Sequence, residues 1–264
     1  MLYLNCGCGN KYVVNDEWEN IDFNSNDKNV KSYNLLKGLP YEKESVDVIY
    51  NSCMLEHLTR EQAEQFLKEC YRVLKNDGIL RIVIPDLENV CREYLNVLSH
   101  VKNGEEEYKR KYDYIVIELI DQMSRQFSGG EMQRYWENAE RDEEYIISRT
   151  GYPEGWKEKS FSNFDKIRMY LSYKKHIFLS RFKIYREIEL GHFALSGELH
   201  KWMYDSYSIT KLLERNSFSD IRIMTCNHSG IPQFETYSLE INKDGSEYKP
   251  NALYVEAKKR IKTI

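Results

Sequence analysis

Short apolar runs, each closed by glycine, proline or a polar residue, recur through the amino-terminal part of the chain. Leu2 to Cys6 is the first and runs into Gly7-Cys8-Gly9; Trp18 to Asp22, Val30 to Tyr33 and Ser45 to Tyr50 follow. Runs this short and this apolar predict buried strands of a parallel sheet. The period then changes. Ala63, Phe66, Leu67, Cys70 and Leu74 recur at helical spacing, Thr59 with Gln62 spells a capping box at the start, and Asn76-Asp77-Gly78 is expected to stop the helix. Gly78 to Ile84 predicts a fifth strand, ended by Pro85-Asp86.

Only Asn10 to Glu17 separate Gly9 from the second strand. A parallel crossover ordinarily takes a dozen or more residues and a helix, so a full helix does not fit here. After Asp86 the alternation breaks. Residues 87–205 are largely helical by pattern, with Tyr108, Tyr112, Ile115, Leu119 and Met123 on one expected apolar face. Gly129-Gly130 and the stretch Gly151, Pro153, Gly155 mark breaks, and Phe161 to Glu187 is basic and aromatic around Lys174-Lys175-His176, which reads first as a solvated face. The strand-and-helix pattern then resumes with a helix over Tyr207 to Asn216 and strands over Ile221 to Cys226 and Ala252 to Ala257. The connection Asn227 to Asn251 has the length of a functional or mobile loop. The pattern as a whole predicts an α/β fold: a Rossmann-like, mostly parallel sheet with a mainly helical insertion after the fifth strand. Its domains are 1–86 with 206–264 as the core and 87–205 as the insertion.

Ligands of such sheets lie over the carboxyl ends of the strands. Gly7, Asp22, Asn34, Ser52, His57 and Asp86 all fall at predicted strand ends on that rim. A glycine pair lets the backbone turn and approach a ligand closely, and a carboxylate at the tip of the second strand can accept ribose hydroxyls. A dinucleotide site would add a third glycine and a longer helix, with the acid about twenty residues on; this chain has neither, which disfavours an oxidoreductase.

Composition narrows the classes. The net charge of −4, with 30% charged residues of mixed sign, argues against a general nucleic-acid binder. None of the six cysteines falls in a C-x-x-C pair and no Cys/His cluster has zinc spacing, so no metal is expected. No apolar stretch is long enough to span a membrane and no secretory leader is expected, since no basic segment precedes an apolar run, so the expected location is the cytoplasm, with reduced thiols.

The motifs resemble those of class I S-adenosylmethionine-dependent methyltransferases. Leu4-Asn-Cys-Gly-Cys-Gly9 is similar to their glycine motif, and Asp22 to their ribose-binding acid. Leu39-Pro-Tyr-Glu-Lys-Glu-Ser-Val-Asp-Val-Ile-Tyr50, Met54-Leu-Glu-His-Leu58 and Arg72-Val-Leu-Lys-Asn-Asp-Gly78 resemble their later core segments. The first helix is nearly deleted, and Asn34 stands where an aspartate is frequent. Glu118 to Arg125, Gly129 to Met132, Gly197 to Asp205 and Ala252 to Ala257 are similar to a bacterial subgroup associated with capsule and O-antigen synthesis. The resemblance implies S-adenosyl-L-methionine as cofactor, held by Cys6, Gly7, Cys8, Gly9, Asp22, Phe23, Asn34, Leu35, Ser52 and Met54. It also implies a small-molecule or glycan acceptor, nucleotide-linked, lipid-linked or polymeric; a homo-oligomer is compatible with it.

Methyl transfer is an in-line displacement at a sulfonium. The protein aligns donor and acceptor and removes a proton when the acceptor is a hydroxyl. His57, past the fourth strand, His200, beside Trp202 and Tyr204, and Asp86, after the fifth strand, are the candidate bases. Each has a plainer reading: a helix-start histidine, a structural junction with Trp202 simply packed, and a helix cap. Trp202 and Tyr204 suit a sugar face. Asp121 and Arg125, four apart on a helix, read as a surface ion pair, with an acceptor clamp as the alternative. Cys8 reads as a small packed residue. Methylation of a nitrogen or a phosphate-type oxygen, and a cofactor-binding pseudoenzyme acting as an assembly partner, remain the other functional readings.

Overall fold

Strand β1 (Tyr3–Cys6) is buried along its whole length in the interior of the sheet. The computed structural model describes residues 1–151 and 183–260. Among these, β1, β2 (Trp18–Asp22), β3 (Val30–Ser32), β4 (Val46–Ser52), β5 (Leu74–Pro85), β6 (Phe218–Met224) and β7 (Ala252–Lys259) form one seven-stranded sheet in the order β3-β2-β1-β4-β5-β7-β6. The first five strands pair in parallel, while β7 runs antiparallel between β5 and β6. The mostly parallel α/β sheet expected from the sequence is present.

The side chains of β1 alternate between faces. Leu4 and Cys6 join the core under α1 (Arg60–Val73) and α7 (Ser206–Arg215), while Tyr3 lies with Trp18, Val48 and Tyr50 on the other side. The α1 capping box is complete, Thr59 and Gln62 exchanging both bonds, and Ala63, Phe66, Leu67, Cys70 and Val73 form its buried stripe. The helix stops earlier than Asn76-Asp77-Gly78 suggested. It ends at Val73, and Leu74 already pairs with Val46 in the sheet. Asn76-Asp77-Gly78 instead occupies an irregularity in β5, where Asp77 has φ of 61° and the register shifts before Ile79 meets Val48.

The short first crossover forms no helix, so its carbonyls need other donors. Two buried asparagines supply them: the Asn5 amide donates to the Lys11 carbonyl at 3.0 Å and the Asn20 amide to the Val13 carbonyl at 2.7 Å. The sheet face beside this crossover is covered by the connection between β6 and β7. Tyr237 packs edge-on against Tyr3 and Trp18, and the Lys11 ammonium donates to the Ile241 carbonyl. That long connection, read from its length as functional or mobile, is therefore built into the domain. Its deepest tie is Arg81, wholly buried in β5. Arg81 donates to Glu240, to Glu256 on β7, and to the carbonyls of Thr225 and His228.

The chain divides into two compact units, Met1–Asn96 with His200–Ile264, and Val97–Leu199. Helix α2 (Leu87–Lys102) leads from the first to the second, which also contains α3 (Tyr108–Ser124), α4 (Gly130–Glu137), α5 (Glu143–Thr150) and α6 (Lys183–Leu195). On α3, Tyr114, Ile115 and Asp121 are buried, whereas Met123, expected on the apolar face, is 42% exposed. Asp121 and Arg125 correct the surface-pair expectation. Their ion pair is buried, Asp121 accepts the Glu131 backbone N–H at the start of α4, and Arg125 also pairs with Glu198, which accepts the Gly129 N–H. These residues staple the second unit. Gly155, Pro153 and the basic segment around Lys174-Lys175-His176 lie outside the described residues.

Candidate active site

The carboxyl ends of β1, β2 and β4 position the site. Cys6 closes β1, and Gly7 and Gly9 both take positive φ, 72° and 51°, which lets the chain turn sharply at the rim. The Gly7 and Cys8 N–H groups donate to the Ile21 carbonyl, and the Gly9 N–H donates to Asp22 Oδ2 at 2.8 Å. The glycines differ in what they require. A Cβ on Gly7 would lie 2.6 Å from Met54 Cγ, so this glycine is demanded by packing inside the domain. A Cβ on Gly9 would meet nothing within 4 Å. Open space therefore flanks the loop at Gly9. Cys8 is buried, and burial pushes its thiol up to about 12, as expected of a packed residue rather than a nucleophile.

The second half of the rim follows β3 and β4. Asn34 caps the short turn Leu35–Lys37 through its side chain, which accepts the Leu36 N–H. Phe23 is exposed just past Asp22. Ser52 ends β4 and Met54 precedes the single turn Leu55–His57. Asn51, which sequence reasoning passed over, is buried in β4 and donates to the Cys6 carbonyl at 3.0 Å, fixing the end of β1 against β4.

Beyond Met54 the structure brings together residues far apart in sequence. The Glu56 carbonyl accepts the backbone N–H groups of Lys201 and Trp202, so the segment from His200 docks on the turn at His57. The His57 and His200 rings meet edge to face, 4.7 Å between centroids at 89°. Glu56, His57 and His200 each offer one ligand atom, all within 4.8 Å of one another. Glu56 is the residue the sequence missed: a Glu beside a His in a turn gives no signal of burial. Burial raises its carboxyl to about 8, against smaller lowering effects of its own backbone, the Lys249 charge and the Cys53 thiol.

Asp86 does not join this group. Its carboxylate accepts the Glu88 N–H at 3.0 Å at the start of α2, the capping role, and burial raises its pKa despite that bond. It is tied to the same segment through its bridge to Tyr204. Tyr204 is buried and presents no face to a sugar, which corrects the sequence-based reading, while Trp202 stays 38% exposed with the Arg60 guanidinium over its ring at 4.8 Å.

Comparison with known proteins adds to this geometry. Residues 4–82 match the family described as methyltransferase domain, from β1 into β5. That stretch matches a methyltransferase domain. S-adenosylmethionine is its cofactor, and the sheet is of the class I, Rossmann-like type. No curated protein matches the chain. Among solved structures it is similar to a SAM-dependent methyltransferase from Archaeoglobus fulgidus, at 14% identity over 97% of this chain and 85% of that one, with a TM-score of 0.38. It is also similar to a SAM-dependent methyltransferase from Thermotoga maritima, at 12% identity over 98% and 82%, with a TM-score of 0.40. Among the described residues, no helix is long and apolar enough to cross a membrane.

The residues of the methyltransferase rim fit the cofactor. The open space at Gly9 admits a ligand against the glycine loop, and Asp22, held at the loop by Oδ2, would offer Oδ1 to a ribose hydroxyl. The bound cofactor supplies an activated methyl group and its own leaving group. What the chain must add is alignment and a place for the acceptor proton.

Proposed function

We propose that the chain O-methylates a sugar or a sugar-linked group in cytoplasmic steps of surface-polysaccharide assembly. The observation that carries the oxygen acceptor is the meeting of His57, His200 and Glu56 one turn beyond Met54, the residue that packs on the glycine loop. An acceptor hydroxyl must lose its proton as its oxygen attacks the methyl carbon and the carbon–sulfur bond breaks. A cluster of two imidazoles and a carboxylate on the rim is suited to that proton. The glycan class is supported by the segments Glu118 to Arg125, Gly129 to Met132 and Gly197 to Asp205, which resemble a capsule and O-antigen subgroup. The stretch 87–205 interrupts the domain between β5 and α7, and we assign it to acceptor selection.

The test is a methyl-transfer screen with labelled S-adenosylmethionine against nucleotide sugars, lipid-linked sugars and capsule oligosaccharides. Label is expected in an alkali-stable ether of a sugar. His200→Asn and His57→Asn should retain S-adenosylhomocysteine binding, and the more important of the two should lose about 10²–10⁴-fold in turnover, the usual contribution of a positioned proton-transfer group. Label on nitrogen or phosphate would reassign the acceptor. Tight cofactor binding with no transfer to any acceptor would favour the pseudoenzyme.

A further inference from the structure

Glu56 is 1% exposed, and neither of its carboxylate oxygens has a hydrogen-bond partner. The hydroxyl of Tyr204, 3% exposed, is also unpartnered. The Glu56 backbone, the Lys249 charge and the Cys53 thiol offset the burial of its carboxylate only in part, and burying so weakly compensated a carboxylate is expensive, so such a group is retained where something else completes it. The spacing fits a cation. The ligand atoms of Glu56, His57 and His200 lie within 4.8 Å of one another, yet the Glu56 oxygens are hydrogen-bonded to neither ring. Groups set for each other would stand at about 2.7–3.2 Å. Two ligands of one ion, each bonded at about 2.1 Å, stand up to about 4 Å apart. The observed separations need only a small closure of the side chains to enclose a cation.

We propose that Glu56, His57 and His200 form a binding site for a divalent transition-metal ion. Two imidazole nitrogens and one carboxylate oxygen suit zinc, manganese, iron(II), cobalt or nickel better than magnesium or calcium, which prefer oxygen alone. The inference replaces the sequence-based expectation of no metal: His200 reaches the Glu56-His57 pair through the backbone bonds of Lys201 and Trp202 to the Glu56 carbonyl, which no sequence spacing encodes. Three protein ligands leave coordination positions open. What occupies them rests on the methyl-transfer reading, and with the ion bound the metal, rather than the free imidazoles, activates the acceptor hydroxyl. An acceptor with two neighbouring oxygens, such as a vicinal diol, would chelate there; the ion lowers the pKa of the bound hydroxyl, its proton passes to solvent water, and the oxygen takes the methyl group as the sulfonium becomes a neutral thioether.

Binding is measured without turnover. The full chain is stripped with EDTA, dialysed, and titrated with cobalt(II) by visible absorption and with zinc by calorimetry. One equivalent per chain with a Kd in the micromolar range or tighter is expected, with cobalt d–d bands lacking thiolate charge transfer. Glu56→Gln and His200→Asn should each weaken binding by about 100-fold or more, while His192→Asn, exposed on α6, should leave it unchanged. Glu56→Gln keeps the side chain's shape, so it decides the matter if His200→Asn fails to fold. Absence of binding up to about 1 mM cobalt or zinc, or binding unchanged in Glu56→Gln, overturns the site. Methyl transfer is read separately. Metal bound at these residues without transfer to any acceptor supports the site and sinks the methylation reading. Transfer that survives chelation in a chain that binds no metal sinks the site and leaves the methylation reading standing.

Discussion

Two clusters of buried carboxylates in the same domain are completed in different ways. At Arg81, Glu240 and Glu256 converge on one guanidinium. Glu256 further accepts from Ser229 and the Gly230 N–H, and the Phe234 ring lies 4.6 Å from the guanidinium. At Glu56 the carboxylate meets two histidines, and its own backbone, the Lys249 charge and the Cys53 thiol compensate it only weakly. Both are as deeply buried as the apolar core. The first is closed within the chain, and it ties the β6–β7 connection onto β5 and β7. The second is left incomplete one turn beyond Met54, which packs on the glycine loop. The saturated cluster serves architecture, and the deficit at Glu56, where two imidazoles converge on a carboxylate, is the one we read as a place for a ligand.

The contrast breaks most visibly at Arg81. Arg81→Met would strand two buried carboxylates, and loss of one partner of a buried ion pair costs about 3–5 kcal/mol. Urea unfolding should show a loss of that size together with early proteolysis between residues 227 and 251. A loss below about 1 kcal/mol would mean that the network is not what holds the connection. The next effect is at Asp22, whose carboxylate is half committed to the Gly9 N–H. Asp22→Ala should weaken S-adenosylhomocysteine binding by about 1.5–3 kcal/mol, the worth of hydrogen bonds to a charged group. Calorimetry reads it, and unchanged affinity would remove Asp22 from the site.

The strand order of the first half was legible because each strand is a short apolar run with its own terminator, and the α1 start because Thr59 and Gln62 carry the cap in one turn. The β5 start was misplaced because Asn76-Asp77-Gly78 signals a turn equally well inside a strand irregularity as after a helix. The glycine turn after β1 and the position of Asp22 beside it were legible from local pattern alone. Glu56 was not, since its burial depends on docking of the segment from His200, a contact between distant parts of the chain. The role of Arg81 was hidden for the same reason: its partners come from the β6–β7 connection and from β7. Gly7 was assigned to ligand approach, whereas the side chain it makes room for is Met54.

The central contrast is tested most directly by the unfolding free energy of Glu56→Met in EDTA at neutral pH or above. The substitution keeps the length of the side chain and removes the buried unpartnered carboxyl, whose desolvation costs about 1–3 kcal/mol. The account expects the metal-free variant to be more stable than the wild type by at least about 1 kcal/mol. A loss of stability of that size would show that Glu56 is satisfied within the chain, as Glu240 and Glu256 are, and would contradict the account.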